Sequence, residues 1–222
     1  MNICVYGASS NTIDKIYHDT AYDLGCEMAK RGHTLVYGGG GNGVMGASAR
    51  GAYDKGGKII GVAPTFFTVD GVLYDKCTEF VYTETMRERK QILEDRSDAF
   101  VIAPGGIGTF DEFFEILTLK QLERHNKPIV IFNVNGYYDH MLKMLELTVE
   151  NNFMKPKSLE LYECFTDISK MIDYIENYDG DIFRTHQLRL MIVEVATYRV
   201  VGTLDLFDFD PINSRASVGI LI

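Results

Sequence analysis

A glycine-rich turn followed by a carboxylate is the part of this chain best suited to chemistry. The turn is Pro104-Gly105-Gly106-Ile107-Gly108-Thr109, and Glu112 follows it three residues later. The apolar run 99–103 before the turn predicts a buried strand, and 113–117 after it predicts a helix. Backbone N–H groups at the start of a helix, together with the helix dipole, favour an anion. A phosphate cradle beside a fixed acid therefore points to chemistry on a phosphorylated substrate.

Two cations on the helix predicted over 85–96 are also candidates for binding a phosphorylated substrate. Arg89 and Lys90 share a helix face with the apolar residues Met86 and Leu93. Long cations are seldom buried without a partner, so this face is either a solvated edge with extended aliphatic stems or a cationic pair that faces an anionic ligand. Glu112 also has two interpretations, because acids in a first helical turn stabilise the dipole whether or not they act on a substrate.

The elements that must position these residues alternate through residues 1–178. This α/β pattern predicts a Rossmann-like, doubly wound, mainly parallel sheet with helices on both faces. Strands are predicted over 3–7, 34–37, 58–63, 79–82, 99–103 and 128–132, helices over 13–31, 44–55, 85–96, 109–124 and 137–151, and two short segments, 162–165 and 168–178, close the pattern. Ligands collect at the carboxyl ends of such strands, where the turns 7–10, 38–46 and 104–109 are all expected.

The second of these turns contains a GxGxxG pattern, Gly41-Asn42-Gly43-Val44-Met45-Gly46, between a strand and a helix. A dinucleotide site also needs an acid at the end of the next strand to hold the ribose, but that strand ends in Gly61-Val62-Ala63-Pro64. General phosphate or nucleotide binding therefore fits better than NAD or FAD, and glycines that only permit a tight turn are a third interpretation. The sequence has no GxxxxGK[ST] motif, which argues against a P-loop nucleotidase.

Composition narrows the class of protein. The chain has 222 residues, 46% hydrophobic content and a formal net charge of −9 without a long basic run, so a nucleic-acid polymer is not an expected partner. The four cysteines are scattered, which predicts reduced cysteines in a cytoplasmic protein. The five histidines lack the spacing of metal ligands, so no metal site is expected. The sequence also lacks an apolar run long enough to span a membrane.

The domain organisation changes near residue 178. We expect one Rossmann-like domain over 1–178 and a C-terminal appendage of unknown role over 179–222. Within the appendage, 188–206 is apolar and β-branched without helical periodicity, whereas 207–222 predicts irregular structure.

Together these residues resemble the LOG (Lonely Guy) family of nucleoside 5′-monophosphate phosphoribohydrolases, whose members are often mislabelled as lysine decarboxylases. Two spaced motifs carry the resemblance, PGGxGTxxE at 104–112 and MxxRK at 86–90. The glycine turn at 37–46 and the opening loop at 5–10 are also similar, with Gly7 where the family usually has cysteine. The resemblance covers roughly residues 1–178.

The resemblance implies cleavage of the N-glycosidic bond of a cytokinin nucleotide or AMP, which gives the free base and ribose 5-phosphate. It implies that Glu112 stabilises the oxocarbenium-like state and that Arg89, supported by Lys90, positions the nucleotide and the departing base. The implied substrate-binding residues are Met86 at the base, Gly105, Gly106, Gly108 and Thr109 at the 5′-phosphate, and also Ser9, Gly39 and Gly40.

The family further implies a homodimer without a cofactor. The alternative is a non-catalytic nucleotide-binding or molybdenum-cofactor carrier protein on the same fold, which would keep the glycine turns without needing the Arg89–Glu112 pair.

Overall fold

A computed structural model of the chain describes residues 1–67, 71–178, 187–193, 200–210 and 215–221. The chain divides into two compact units, Met1–Glu176 and Asn177–Ile222. The first unit contains seven strands, β1 (Asn2–Tyr6), β2 (Thr34–Tyr37), β3 (Ile59–Pro64), β4 (Glu79–Thr83), β5 (Ala99–Ile102), β6 (Ile129–Phe132) and β7 (Glu163–Phe165). Its α-helices are α1 (Lys15–Lys30), α2 (Gly43–Asp54), α3 (Met86–Asp95), α4 (Ile107–Gln121), α5 (Asp139–Glu150) and α6 (Ile168–Glu176).

The seven strands form one parallel sheet in the order β4-β3-β2-β1-β5-β6-β7. The chain starts at the centre of the sheet, moves outward through β2 to β4, and then returns to the other side of β1 as β5. The order therefore reverses between β1 and β5, which is where doubly wound sheets bind ligands. The predicted α/β fold is confirmed, and the elements predicted over 1–178 are present with ends that shift by a few residues.

Helices cover both faces of this sheet. On one face, α1, α2 and α6 bury apolar residues such as Leu24, Ala49 and Ile172. On the other face, α3, α4 and α5 bury residues that include Leu93, Phe113 and Leu145. Because side chains alternate along a strand, Ile3 and Val5 of β1 pack against the helices of the first face, whereas Cys4 and Tyr6 pack against those of the other face. Burial on both faces explains the nearly continuous apolar runs of the strands.

The second unit contains β8 (Gln187–Val193), β9 (Val200–Asp210) and β10 (Arg215–Leu221), which pair antiparallel in the order β10-β9-β8. The prediction of irregular structure over 207–222 is therefore wrong for the described part of that range. Apolar residues alternate over too few positions there to signal a strand, and antiparallel pairing with β9, in which Ile220 lies opposite Leu204, stabilises it instead. In the part of the chain that the structure describes, no helix has the length and hydropathy to cross a membrane.

Candidate active site

A buried ion pair joins the two residues that carry the sequence motifs. Arg89 Nη1 donates to Glu112 Oε1 at 2.7 Å, and the two side chains are only 8% and 9% exposed. The guanidinium has a second anchor, because Nε donates to the carbonyl of Val62 at 3.3 Å. Val62 belongs to β3, so α3, α4 and the sheet together fix the orientation of this pair.

The start of α3 determines which way Arg89 points. Thr85 caps the helix, with its hydroxyl accepting from the N–H of Glu88 at 3.1 Å, and the Glu88 carboxylate accepts from the N–H of Glu84 at 2.9 Å. This capping arrangement fixes the helix start at Met86, one turn before Arg89. Arg89 and Leu93 are the buried residues of α3 and lie four residues apart, so they share the face that packs against the sheet.

Lys90 points elsewhere than Arg89. Its Nζ lies 3.1 Å from Asp111 Oδ2 and 2.9 Å from Glu115 Oε2, both on α4. The two cations that share a helix face in the sequence therefore separate: Arg89 is buried at the sheet, whereas Lys90 bridges α3 and α4 from the half-buried rim.

The environment of Glu112 makes its charge costly. Burial raises the pKa of this carboxyl above its ordinary value, although Arg89 acts in the opposite direction. Burial, with the Glu112 charge adding to it, also raises the pKa of the Cys4 thiol to about 12, and the pKa of Tyr6 is raised well above its ordinary value by burial as well. Cys4 and Tyr6 are therefore buried neighbours of the pair, close enough to interact with its charges. Neither residue is among those predicted from the sequence, although the alternation of side chains along β1, which places both on the α4 face, is a signal that could identify them.

Three loops meet at the carboxyl ends of β1, β2 and β5. The Ala8 N–H donates to the Pro104 carbonyl at 3.0 Å, and the Met45 N–H donates to the Ala8 carbonyl at 3.2 Å. The Asn11 side chain ties the first loop to the second by accepting from the Gly43 N–H at 2.9 Å. The convergence of turns that the sequence predicts is therefore present as a hydrogen-bonded assembly.

Two glycines permit close approaches at this site. A Cβ at Gly38 would collide with Nη2 of Arg89, so a side chain there would push the guanidinium out of its present position. A Cβ at Gly105 would collide with the hydroxyl of Thr109, which turns back onto the loop from the first turn of α4. At both positions glycine therefore makes room for a neighbouring side chain of the site.

The remaining predicted site residues divide by exposure. Gly39, Gly40, Gly105 and Thr109 are buried in the wall of the site, whereas Ser9, Gly106 and Gly108 are exposed at its rim. Met86, at the start of α3, is 39% exposed. The structure thus groups a buried carboxylate and guanidinium with an exposed helix N-terminus, and an N-terminus of this kind favours an anion. Among the described residues, no group of three or more histidine, cysteine or acidic side chains could hold a metal ion.

Coupling between Arg89 and Glu112 can be measured by a double-mutant cycle with Arg89→Met and Glu112→Gln. Each single variant leaves one buried charge without its partner. We therefore expect the two single losses in the free energy of unfolding to add up to more than the loss in the double variant. The difference, which is the coupling free energy, should be about 1–3 kcal/mol in urea unfolding. Lys143→Met with Glu146→Gln, which removes an exposed pair at 3.0 Å, is the matched control and should show no measurable coupling. Equal coupling in the two cycles would contradict the assigned geometry.

The chain has clear relatives among known proteins. Residues 45–175 match the family model described as "Possible lysine decarboxylase". A probable cytokinin riboside 5′-monophosphate phosphoribohydrolase of Oryza sativa subsp. japonica is 38% identical over 176 residues, which are 79% of this chain and 78% of the relative. A cytokinin riboside 5′-monophosphate phosphoribohydrolase of Arabidopsis thaliana is 35% identical over 176 residues, 79% of this chain and 82% of the relative.

Solved structures share the fold at lower identity. The molybdenum cofactor carrier protein of Chlamydomonas reinhardtii has a TM-score of 0.61 and 24% identity over 79% of this chain and 95% of that protein. The molybdenum cofactor binding protein of Rippkaea orientalis has a TM-score of 0.59 and 22% identity, covering 79% of this chain and 93% of that protein. These likenesses concern the fold alone, whereas the family match and the closer sequence relatives together identify the chain as a member of the LOG family, whose model carries the lysine decarboxylase description.

Proposed function

We propose that this protein is a nucleoside 5′-monophosphate phosphoribohydrolase that cleaves cytokinin nucleotides or AMP into the free base and ribose 5-phosphate. The observation that carries the proposal is the buried Arg89–Glu112 pair, at 2.7 Å, beside the glycine turn that begins α4. The activity named for the rice and Arabidopsis relatives supports the same assignment.

The chemistry follows from the charges at the site. As the bond between the sugar C1′ and the base nitrogen breaks, positive charge grows on the ribose and negative charge on the base. The Glu112 carboxylate stabilises the first and can orient the attacking water, while the Arg89 guanidinium balances the second. The oxygen of the attacking water bonds to C1′ and that water gives up one proton, while the base nitrogen released from C1′ gains one proton, so that one water is consumed in forming ribose 5-phosphate and the free base. Gly105, Gly106, Gly108 and Thr109 hold the 5′-phosphate, Ser9, Gly39 and Gly40 line the pocket, and Met86 packs against the base.

Two other functions fit the residues less well. A cofactor carrier on this fold needs the glycine turns but has no use for a buried carboxylate that burial makes costly to ionise. A lysine decarboxylase requires a lysine that carries pyridoxal phosphate. Lys90, the lysine next to Arg89, instead has its ammonium between Asp111 and Glu115.

Release of ribose 5-phosphate from AMP and from isopentenyladenosine monophosphate tests the proposal directly. We expect the wild type to cleave at least one of them, and Glu112→Gln and Arg89→Met to lower kcat/KM by about 100-fold or more, because each removes charge stabilisation in the transition state. Glu146→Gln, an exposed change on α5, is the matched control and should keep wild-type rates.

Adenosine serves as the substrate control, since it lacks the phosphate that orients the ribose. Its kcat/KM should be lower than that of AMP by about 100-fold or more. Folded wild-type protein that binds both nucleotides and releases no ribose 5-phosphate would favour the carrier function instead.

The raised pKa of Glu112 predicts the acid limb of the pH profile. The carboxylate must be ionised to stabilise the ribose cation, and a raised pKa keeps it protonated up to a higher pH. With AMP, kcat/KM should therefore fall with decreasing pH at an apparent pKa above about 4.3, the ordinary glutamate value. An acid limb at or below the ordinary value would show that the active carboxylate is not the buried one.

We also propose that the enzyme is a cytoplasmic homodimer. Its four cysteines are free thiols, as is usual in a reducing compartment. Support for the dimer comes from apolar side chains left exposed on α5 and just after it: Met144 at 47%, Leu147 at 43% and Phe153 at 87%.

Sedimentation velocity tests the dimer. The wild type should sediment with twice the mass of one chain, and Leu147→Asp should shift it toward the monomer because a buried carboxylate opposes association. Ile16→Asp on α1, where the isoleucine is 46% exposed on the opposite face of the sheet, is the matched control and should leave the dimer intact. A monomeric wild type would contradict this assignment.

A further inference from the structure

In the strand-to-helix turn before α4, three successive carbonyl groups accept hydrogen bonds from residues outside the turn. The Ala103 carbonyl accepts from the Tyr138 hydroxyl at 2.8 Å, and the Pro104 carbonyl accepts from the Ala8 N–H at 3.0 Å. The Gly105 carbonyl accepts from the Tyr137 hydroxyl at 2.7 Å. Two neighbouring tyrosines therefore fix alternate peptides of the glycine turn.

The loop that presents these tyrosines is itself held in place. It follows β6, and its residues Asn135 and Gly136 have positive φ angles of 52° and 71°. The Asn133 side chain closes the loop, donating to Asp139 Oδ1 at 2.7 Å and accepting from the Tyr138 N–H at 2.7 Å. Asn133 is only 7% exposed, so these bonds are protected from water. The position of the Tyr137 hydroxyl is consequently set by the fold.

Stacking holds the Tyr137 ring as well. Its centroid lies 5.8 Å from the Tyr17 ring of α1 and 4.9 Å from the Tyr138 ring, with edge-to-face geometry in both pairs. Tyr137 is 41% exposed, whereas Tyr138 is 1% exposed. Tyr138 is therefore part of the core, and Tyr137 lies at the surface of the site, where loss of its hydroxyl should cost little stability.

A hydrogen bond to the Gly105 carbonyl also orients the next N–H group. In a trans peptide the C=O of one residue and the N–H of the next point in opposite directions. Holding the Gly105 oxygen toward Tyr137 thus directs the Gly106 N–H away from Tyr137. Gly106 is the N-cap of α4, and the N–H groups of Ile107 and Gly108 that follow have no carbonyl to bind within the helix. Without this restraint, two adjacent glycines could adopt many backbone conformations.

We propose that Tyr137 is a positioning residue that preorganises the Gly105–Gly106 turn for the 5′-phosphate of the substrate. The inference rests on the proposed function for the identity of the substrate. Tyr137 does not touch the reacting atoms; it removes the conformational freedom that the turn would otherwise lose on binding the anion. Its effect should therefore fall on phosphate affinity rather than on bond cleavage.

Tyr137→Phe tests this role because it keeps the ring and removes only the hydroxyl. We expect KM for AMP to rise roughly threefold to tenfold, the effect of one neutral hydrogen bond, with kcat within about twofold of the wild type. The Kd of ribose 5-phosphate in calorimetry should rise by the same factor, and cleavage of adenosine should not change. Tyr22→Phe is the matched control, because its hydroxyl donates to Asp54 at 2.8 Å between α1 and α2.

The two readouts separate this inference from the proposed function. If the wild type cleaves AMP and Tyr137→Phe matches Tyr22→Phe in both KM and Kd, the positioning role is wrong and the activity stands. If the wild type cleaves no nucleotide but Tyr137→Phe still weakens ribose 5-phosphate binding, the positioning role stands and the activity is wrong. A fall in kcat with unchanged KM and Kd, or a wild type that does not bind ribose 5-phosphate, would also overturn the positioning role.

Discussion

The buried ion pair between Arg89 and Glu112 is the constraint on which the rest of the site depends. Removing two charges from water costs several kcal/mol per ion, and their mutual attraction repays this only with good geometry and further hydrogen bonds. The structure meets both conditions in part: the pair is 2.7 Å apart, and a β3 carbonyl accepts from the guanidinium. The pKa of Glu112 nevertheless remains raised, so compensation for its burial is incomplete.

The topology of the sheet supplies what this pair needs. Arg89 comes from α3, which precedes β5, and Glu112 comes from α4, which follows it. Both helices pack on the same face of the sheet, so both ends of the pair lie on that side. Gly38, which directly follows β2, leaves the space that the guanidinium occupies. A side chain at that position would push the guanidinium away from its place beside Glu112. The turn at 38–46 therefore makes room for the ion pair, in addition to any contact that it makes with a ligand.

Sequence patterns predicted the fold of residues 1–178 because its strands are buried apolar runs and its helices carry apolar faces. They also drew attention to Arg89 and Glu112, because both lie in motifs of specific spacing, and the structure brings these two side chains into contact. They could not separate Arg89 from Lys90, because that depends on which neighbour each cation reaches: β3 and Glu112 for one, the acids of α4 for the other. The strand at Arg215–Leu221 was missed for a similar reason, since its partner β9 is needed to stabilise it.

The contribution of Tyr137 shows why such residues escape sequence reasoning. Its hydroxyl acts on a backbone carbonyl 32 positions away in the chain, and backbone carbonyls leave no mark in the sequence. The tyrosine itself looks like one more aromatic residue at the start of a helix. Yet a glycine turn can approach a phosphate closely only because it lacks side chains, and the same lack leaves it without internal restraint. A neighbouring loop must provide that restraint, so a close-fitting anion site built from glycine depends on residues that never touch the anion.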